Sequence, residues 1–173
     1  HHSDTEIDVT TTERHHPLES VVGIALLALI VFAFGLPAAG VGIYLLVATV
    51  VTLYSHANLY PPLALDRIMR RLIVTAPVHA IHHSDLKAQT NSNYALVLPI
   101  WDRLFGTYAD PEQAPVARFG LEYFHAPQDT GLGRVLLQPF LYRQRMAYPA
   151  RTCTAHAAPS PAAAAPARLP KRT

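Results

Sequence analysis

Three histidines close the stretch from Thr75 to His83, TAPVHAIHH, and His79, His82 and His83 form an H-x-x-H-H box. On a helix, positions i, i+3 and i+4 share a face, so one turn can aim three imidazoles at one point. That is the spacing of metal ligands. Imidazole suits iron, copper, zinc and nickel, and three neutral rings supply half or more of one ion's coordination sphere. A run of surface histidines is the competing reading. Against it, the ten histidines are clustered, with further pairs at His1-His2 and His15-His16, and the box adjoins an apolar segment.

Something must bring these pairs together, and the apolar run before the box is suited to it. From Ser20 to Ser55 there is no charged residue, about twice the ~20 apolar residues that one membrane crossing needs. Gly35-Leu36-Pro37 interrupts the run as a turn signal. The pattern predicts two helices, about 18-34 and 38-54, each roughly 25 Å long and slightly short of a hydrocarbon core ~30 Å thick. Both are apolar all round, which argues for a membrane hairpin over the buried hairpin of a soluble protein. An even number of crossings returns the chain to the side it left. His1-His2 and His15-His16 precede the hairpin, while His56 and the box follow it, so all can meet on one face. For His56, in SHANLYPP at the end of the second helix, spacing leaves both a ligand role and a capping role open.

Residues 63 to 75, LALDRIMRRLIVT, place Leu65, Ile68, Met69, Leu72 and Ile73 opposite Asp66, Arg67, Arg70 and Arg71. That predicts an amphipathic, basic helix in the headgroup region. With Arg14 and Lys87, these arginines lie on the histidine-bearing side and predict that it is cytoplasmic. After the box, Asn91, Ser92 and Asn93 predict a turn. Trp101 and Tyr108 are candidate interfacial anchors. Asp102 is a candidate carboxylate for orienting an imidazole; a helix cap or an ion pair with Arg103 fits its spacing equally.

Composition narrows the function classes. Half the residues are hydrophobic, 15% are charged and the net charge is +2, which gives no ground for a nucleic-acid partner. Cys153 is the one cysteine, so neither a disulfide nor a cysteine zinc site forms within the chain. No G-x-G-x-x-G fingerprint of a flavin or nicotinamide site occurs. The start at His1-His2, without an initiator Met or signal peptide, predicts that the natural N-terminus lies upstream. Residues 147-173 are rich in Ala and Pro and predict a disordered tail after a folded part spanning 1-146. His125 and His156 fall outside every motif. Glu13 and His16 make one E-x-x-H, and the further E-x-x-H and glutamates of soluble di-iron bundles are missing.

In order, HHSDTEIDVTTTERHHPLE, SHANLYPPL, HAIHHSDLKAQTNSNYA and IWDRLFGTY resemble the second half of the fatty acid hydroxylase and sterol desaturase superfamily, over about the first 140 residues. The resemblance implies an all-α integral membrane enzyme, a transmembrane hairpin carrying a cytoplasmic histidine-rich helical cap, in a bacterial inner membrane or the endoplasmic reticulum. It implies two histidine-held iron ions that use dioxygen to hydroxylate or desaturate a fatty acyl or sterol-type lipid, and a small redox protein as external electron donor. Residue by residue, His79, His82 and His83 match the last histidine box. His1 and His2 resemble the closing pair of the box before it, His16 with Pro17 and Glu19 an H-P-x-E element, and His56 with Asn58 a further histidine. Asn93 and Asp102 are then candidates to support the ligands from behind. Two departures stand out: Glu13 replaces an aromatic or aliphatic residue, and the family's first box, H-x(3 or 4)-H, is absent. The chain is therefore expected to be an N-terminally truncated piece of the enzyme, inactive by itself; an inactive membrane remnant is an alternative, as is a zinc-dependent membrane hydrolase, although the boxes lack an activating carboxylate.

Overall fold

Pro17 opens the first helix with its φ already set for helical geometry, and the preceding His16 takes the extended conformation that a proline imposes on its neighbour. The His16 ring caps the helix, Nδ1 accepting from the Leu18 N–H at 3.1 Å. In the computed structural model, which describes residues 1–121, 124 and 131–147, with side chains to 141, this helix is α1, Pro17–Phe34. It ends where Gly35 adopts φ +60°, a left-handed conformation open to glycine, and the Leu36 N–H returns to the Val31 carbonyl at 3.0 Å. Pro37 then starts α2, Ala38–His56. The turn lies where Gly35-Leu36-Pro37 predicts it, and α2 runs two residues further than expected, ending on His56.

No residue of α1 is buried, and α2 buries only Ala48, Val51, Ser55 and His56, all in its second half. Eighteen and nineteen residues rise about 27–28 Å, close to one hydrocarbon thickness. A helix apolar all round with its side chains unburied is at home in lipid, because its backbone hydrogen bonds are satisfied internally. Among the described residues this is an all-α membrane protein, with two helices long and apolar enough to span a bilayer. Among the described residues there is no strand, only an isolated bridge between Ser84 and Phe119.

The C-terminal end of α2 carries a cap of short helices: α3, Leu63–Met69; α4, Ala76–His82; α5, Lys87–Thr90; and α6, Ile100–Phe105. The helix expected over 63 to 75 is shorter than its apolar spacing suggests. It stops at Met69 because the chain must turn to deliver α4, and the Val74 N–H is taken by the Val97 carbonyl at 2.9 Å. Val51 of α2, Val74, Val78 of α4 and Ala95 form the small core, with Val97 and Tyr108 packed against it. This core fixes α4 against the end of α2.

A further helix, α7, spans Leu132–Ala147 with Pro139 inside it. His1–Gln138 form one compact unit, and the described residues from Pro139 onward belong to a second. His125, His156 and the tail from 148 lie outside the described residues.

Candidate metal centre

The core places the box helix so that its histidines meet the last residue of α2. His56, His79 and His83 are buried, and their Nε2 atoms form a triangle with sides of 3.2 Å (His56 to His83), 3.1 Å (His56 to His79) and 3.0 Å (His79 to His83). His79 and His83 stand four apart on α4 and its C-cap, so they project from one face. His82, one position aside, turns its ring 5.6 Å from His79 and 5.9 Å from His83.

Backbone carbonyls fix two tautomers. His56 Nδ1 faces the Thr52 carbonyl at 2.8 Å, and His82 Nδ1 faces the Ser92 carbonyl at 2.8 Å. A carbonyl only accepts, so each Nδ1 carries the proton and each Nε2 presents a lone pair. Burial pushes His79 well below the usual histidine range, with the neighbouring His56, His82 and His2 adding to it. His83 is pushed down by burial and then by His79, His2, His56 and His82. Both are therefore neutral at neutral pH, the form in which imidazole binds metal.

Three buried nitrogens facing one another at hydrogen-bond distance cannot all be satisfied by their own protons. His79 Nδ1 and His83 Nδ1 also lack a hydrogen-bond partner among the described residues. A cation held between the three nitrogens would remove the conflict. The three nitrogens are thus a donor set that could hold a metal ion.

The N-terminal segment brings its histidines to the same place. The His2 ring lies 4.5 Å from His82 and 4.4 Å from His83, and the His1 ring 5.0 Å from His83 and 5.6 Å from His56. Burial, then the nearby His82, lowers His2 to about 3. His1, His56 and His83 offer donor atoms within 4.8 Å of one another. His16 stands apart: Nδ1 caps α1 and Nε2 donates to the Leu136 carbonyl at 3.1 Å. Its neighbour His15 joins the cluster instead, with Nδ1 3.2 Å from His1 Nδ1 and 3.0 Å from the Glu19 carboxylate. The sequence did hold a signal for this, since Pro17 puts His16 at the capping position, where a side chain folds back on its own helix.

Asp102 and Asn93 act on the scaffold. The buried Asp102 carboxylate accepts from the Tyr94 N–H (2.8 Å), the Ala95 N–H (2.9 Å) and the Thr107 hydroxyl (2.6 Å). Asn93, at φ +51°, donates to the Val78 carbonyl at 2.9 Å and to the Ala109 carbonyl at 3.1 Å, and accepts from the Ala109 N–H at 2.9 Å. Together they hold the 91–95 turn against α4, and that turn supplies the Ser92 carbonyl to His82. The imidazoles are thus oriented by main-chain carbonyls that no residue pattern announces.

Residues 1–107 match the model of the fatty acid hydroxylase family. The chain is also similar to the ornithine lipid hydroxylase OlsE of Rhizobium tropici, at 30% identity over 127 residues, covering 70% of this chain and 36% of that protein. The chain therefore spans about a third of the length of that curated relative. No solved structure matches it. The matched region holds the hairpin and every histidine of the cluster, and the chain belongs to the fatty acid hydroxylase family.

Proposed function

We propose that the protein is a membrane-bound, dioxygen-dependent hydroxylase of lipid C–H bonds whose iron is held by the histidine cluster on the cytoplasmic side of the membrane. The observation that carries this reading is the buried Nε2 triangle of His56, His79 and His83 at the foot of a lipid-facing hairpin. His1, His2, His15 and His82 surround it and offer donors for a second ion, with Glu19 reaching His15.

Iron bound there would supply dioxygen activation and removal of hydrogen from an unactivated carbon. The chain's own contribution is placement. The carbonyls of Thr52 and Ser92 hold two imidazoles in the tautomer that leaves Nε2 free. Burial keeps His79 and His83 unprotonated. The relative named for ornithine lipid supports a membrane lipid as substrate, and electrons would come from a small redox protein. A hydrolytic zinc site is disfavoured, because the H-x-x-H-H box carries no glutamate at the position of H-E-x-x-H, and Glu19, the carboxylate that reaches the cluster, is exposed and engaged with His15.

The test is reconstitution of the full-length protein in lipid vesicles with Fe(II), a reductant and isotopically labelled dioxygen, followed by mass spectrometry of the lipids. Gain of one labelled oxygen atom, lost in His79→Ala, is the expected result. Absence of any oxidised lipid from a fully iron-loaded sample would refute the reading.

A further inference from the structure

The two cap helices α3 and α6 are inverted relative to what water demands. On α3, Asp66 and Arg70 at its end are buried, at 3% and 6% exposure, while Ile68 and Leu72 beyond it are 60% and 68% exposed. On α6, Asp102 is 2% exposed, and Trp101, Leu104 and Phe105 are 54%, 68% and 74% exposed. Each helix turns its carboxylate inward, Asp66 into an ion pair with Arg70 and Asp102 onto backbone N–H groups, and its large apolar residues outward. Arg70 is held by Asp66, Asp110 and Glu112, and Asp102 by the Tyr94 and Ala95 N–H groups. The inversion is therefore specified by strong polar contacts rather than left over from poor packing.

The two helices are also fastened together. Arg103 of α6 donates to the Arg70 carbonyl at 2.7 Å and to the Arg71 carbonyl at 3.3 Å, at the end of α3. Arg71 stands exposed on the same short segment as Ile68 and Leu72, and so does Arg67, whose guanidinium is paired with Glu112. Large apolar side chains interleaved with arginine, on α3, which follows the membrane hairpin after a link of a few residues, and on α6 fastened to it, match the chemistry of a headgroup layer over acyl chains. Scattered exposed apolar residues would need no explanation, but two neighbouring helices inverted in the same sense do.

We propose that the α3–α6 surface of the cap is a bilayer-contacting face, seated in the anionic lipid interface through Leu65, Ile68, Leu72, Trp101, Leu104 and Phe105. The cap then rests in the membrane surface rather than standing off it on the hairpin. The proposal is independent of the metal reading, since it needs only the hairpin and the two inverted helices.

Trp101 is the one tryptophan of the chain, so intrinsic fluorescence reports on this face alone. The chain is reconstituted in vesicles of phosphatidylcholine with a minority of phosphatidylglycerol, with and without phosphatidylcholine brominated in the upper acyl chain. The expected result is blue-shifted emission, quenching by the brominated lipid and little quenching by aqueous iodide. In the double variant Leu104→Ser, Phe105→Ser, iodide quenching should rise and bromolipid quenching fall, with far-UV circular dichroism unchanged. Red-shifted emission quenched by iodide in the unmodified chain would overturn the proposal. So would protection from both quenchers together with cross-linking between copies, which would assign the face to a second protein surface.

Discussion

Replacing His83 with Ala removes one corner of the buried nitrogen triangle, and its effect follows from the number of donors lost. A four-ligand structural site binds its metal with about 10–16 kcal/mol, or roughly 3–4 kcal/mol for each donor. Loss of one donor therefore weakens binding by roughly 10²–10³-fold. The His79 and His56 nitrogens, 3.1 Å apart, would remain as a two-donor site. His16→Ala is the matched control, because both of its ring nitrogens are engaged by the chain, one on the Leu18 N–H and one on the Leu136 carbonyl. That change should cost about 1 kcal/mol of helix stability through the lost cap and leave metal affinity within a few-fold of the parent. Anaerobic equilibrium dialysis against Fe(II) in lipid nanodiscs, with bound metal counted by mass spectrometry, separates the two. Insertion of the hairpin, checked by protease protection, should be intact in both. Parent-like affinity in His83→Ala, or an equal loss in His16→Ala, would refute the assignment of the triangle.

The remaining predictions address the scaffold and the protons. Asp102→Ala leaves the Tyr94 and Ala95 N–H groups without their acceptor; at about 1–3 kcal/mol for each stranded donor, the cap should lose roughly 2–6 kcal/mol in a denaturant titration, with Asp102→Asn in between. Asn93→Ala removes the bonds to Val78 and Ala109 that hold the turn behind His82, and iron affinity should fall by roughly 10–100-fold while the hairpin remains helical. In the metal-free protein, His2, His79 and His83 all have folded pKa values depressed below the ordinary 6.5. The unfolded chain then binds more protons in acid, so stability should be level above about pH 7 and fall as pH drops below 6.5, by about 1.4 kcal/mol per pH unit for each proton withheld. For His2 the decline should run down towards about 3. A denaturation midpoint unchanged between neutral and mildly acid pH would contradict the burial of these rings.

What the sequence made legible is what one-dimensional patterns control. An uncharged run split by Gly35-Leu36-Pro37 has one good solution in lipid, so the hairpin and its turn could be placed within two residues. The even number of crossings then forced the histidine pairs and the box to one end. The finer choices depended on contacts between distant residues. Spacing puts His79, His82 and His83 on one face, yet the Ser92 carbonyl, held by Asn93 and Asp102, draws His82 aside, and His56 completes the triangle in its stead. His15 and His16 are indistinguishable by type, and the capping geometry before Pro17 separates them. The same holds for α3: its apolar and charged faces are visible in the sequence, but which one turns inward depends on Asp110 and Glu112, some forty residues on, which capture Arg70. Amphipathicity is therefore a statement about two faces and not about which of them meets solvent. In a cap at a membrane surface the sense of that choice carries functional information, because it decides whether the histidine cluster lies level with the lipid headgroups or out in water.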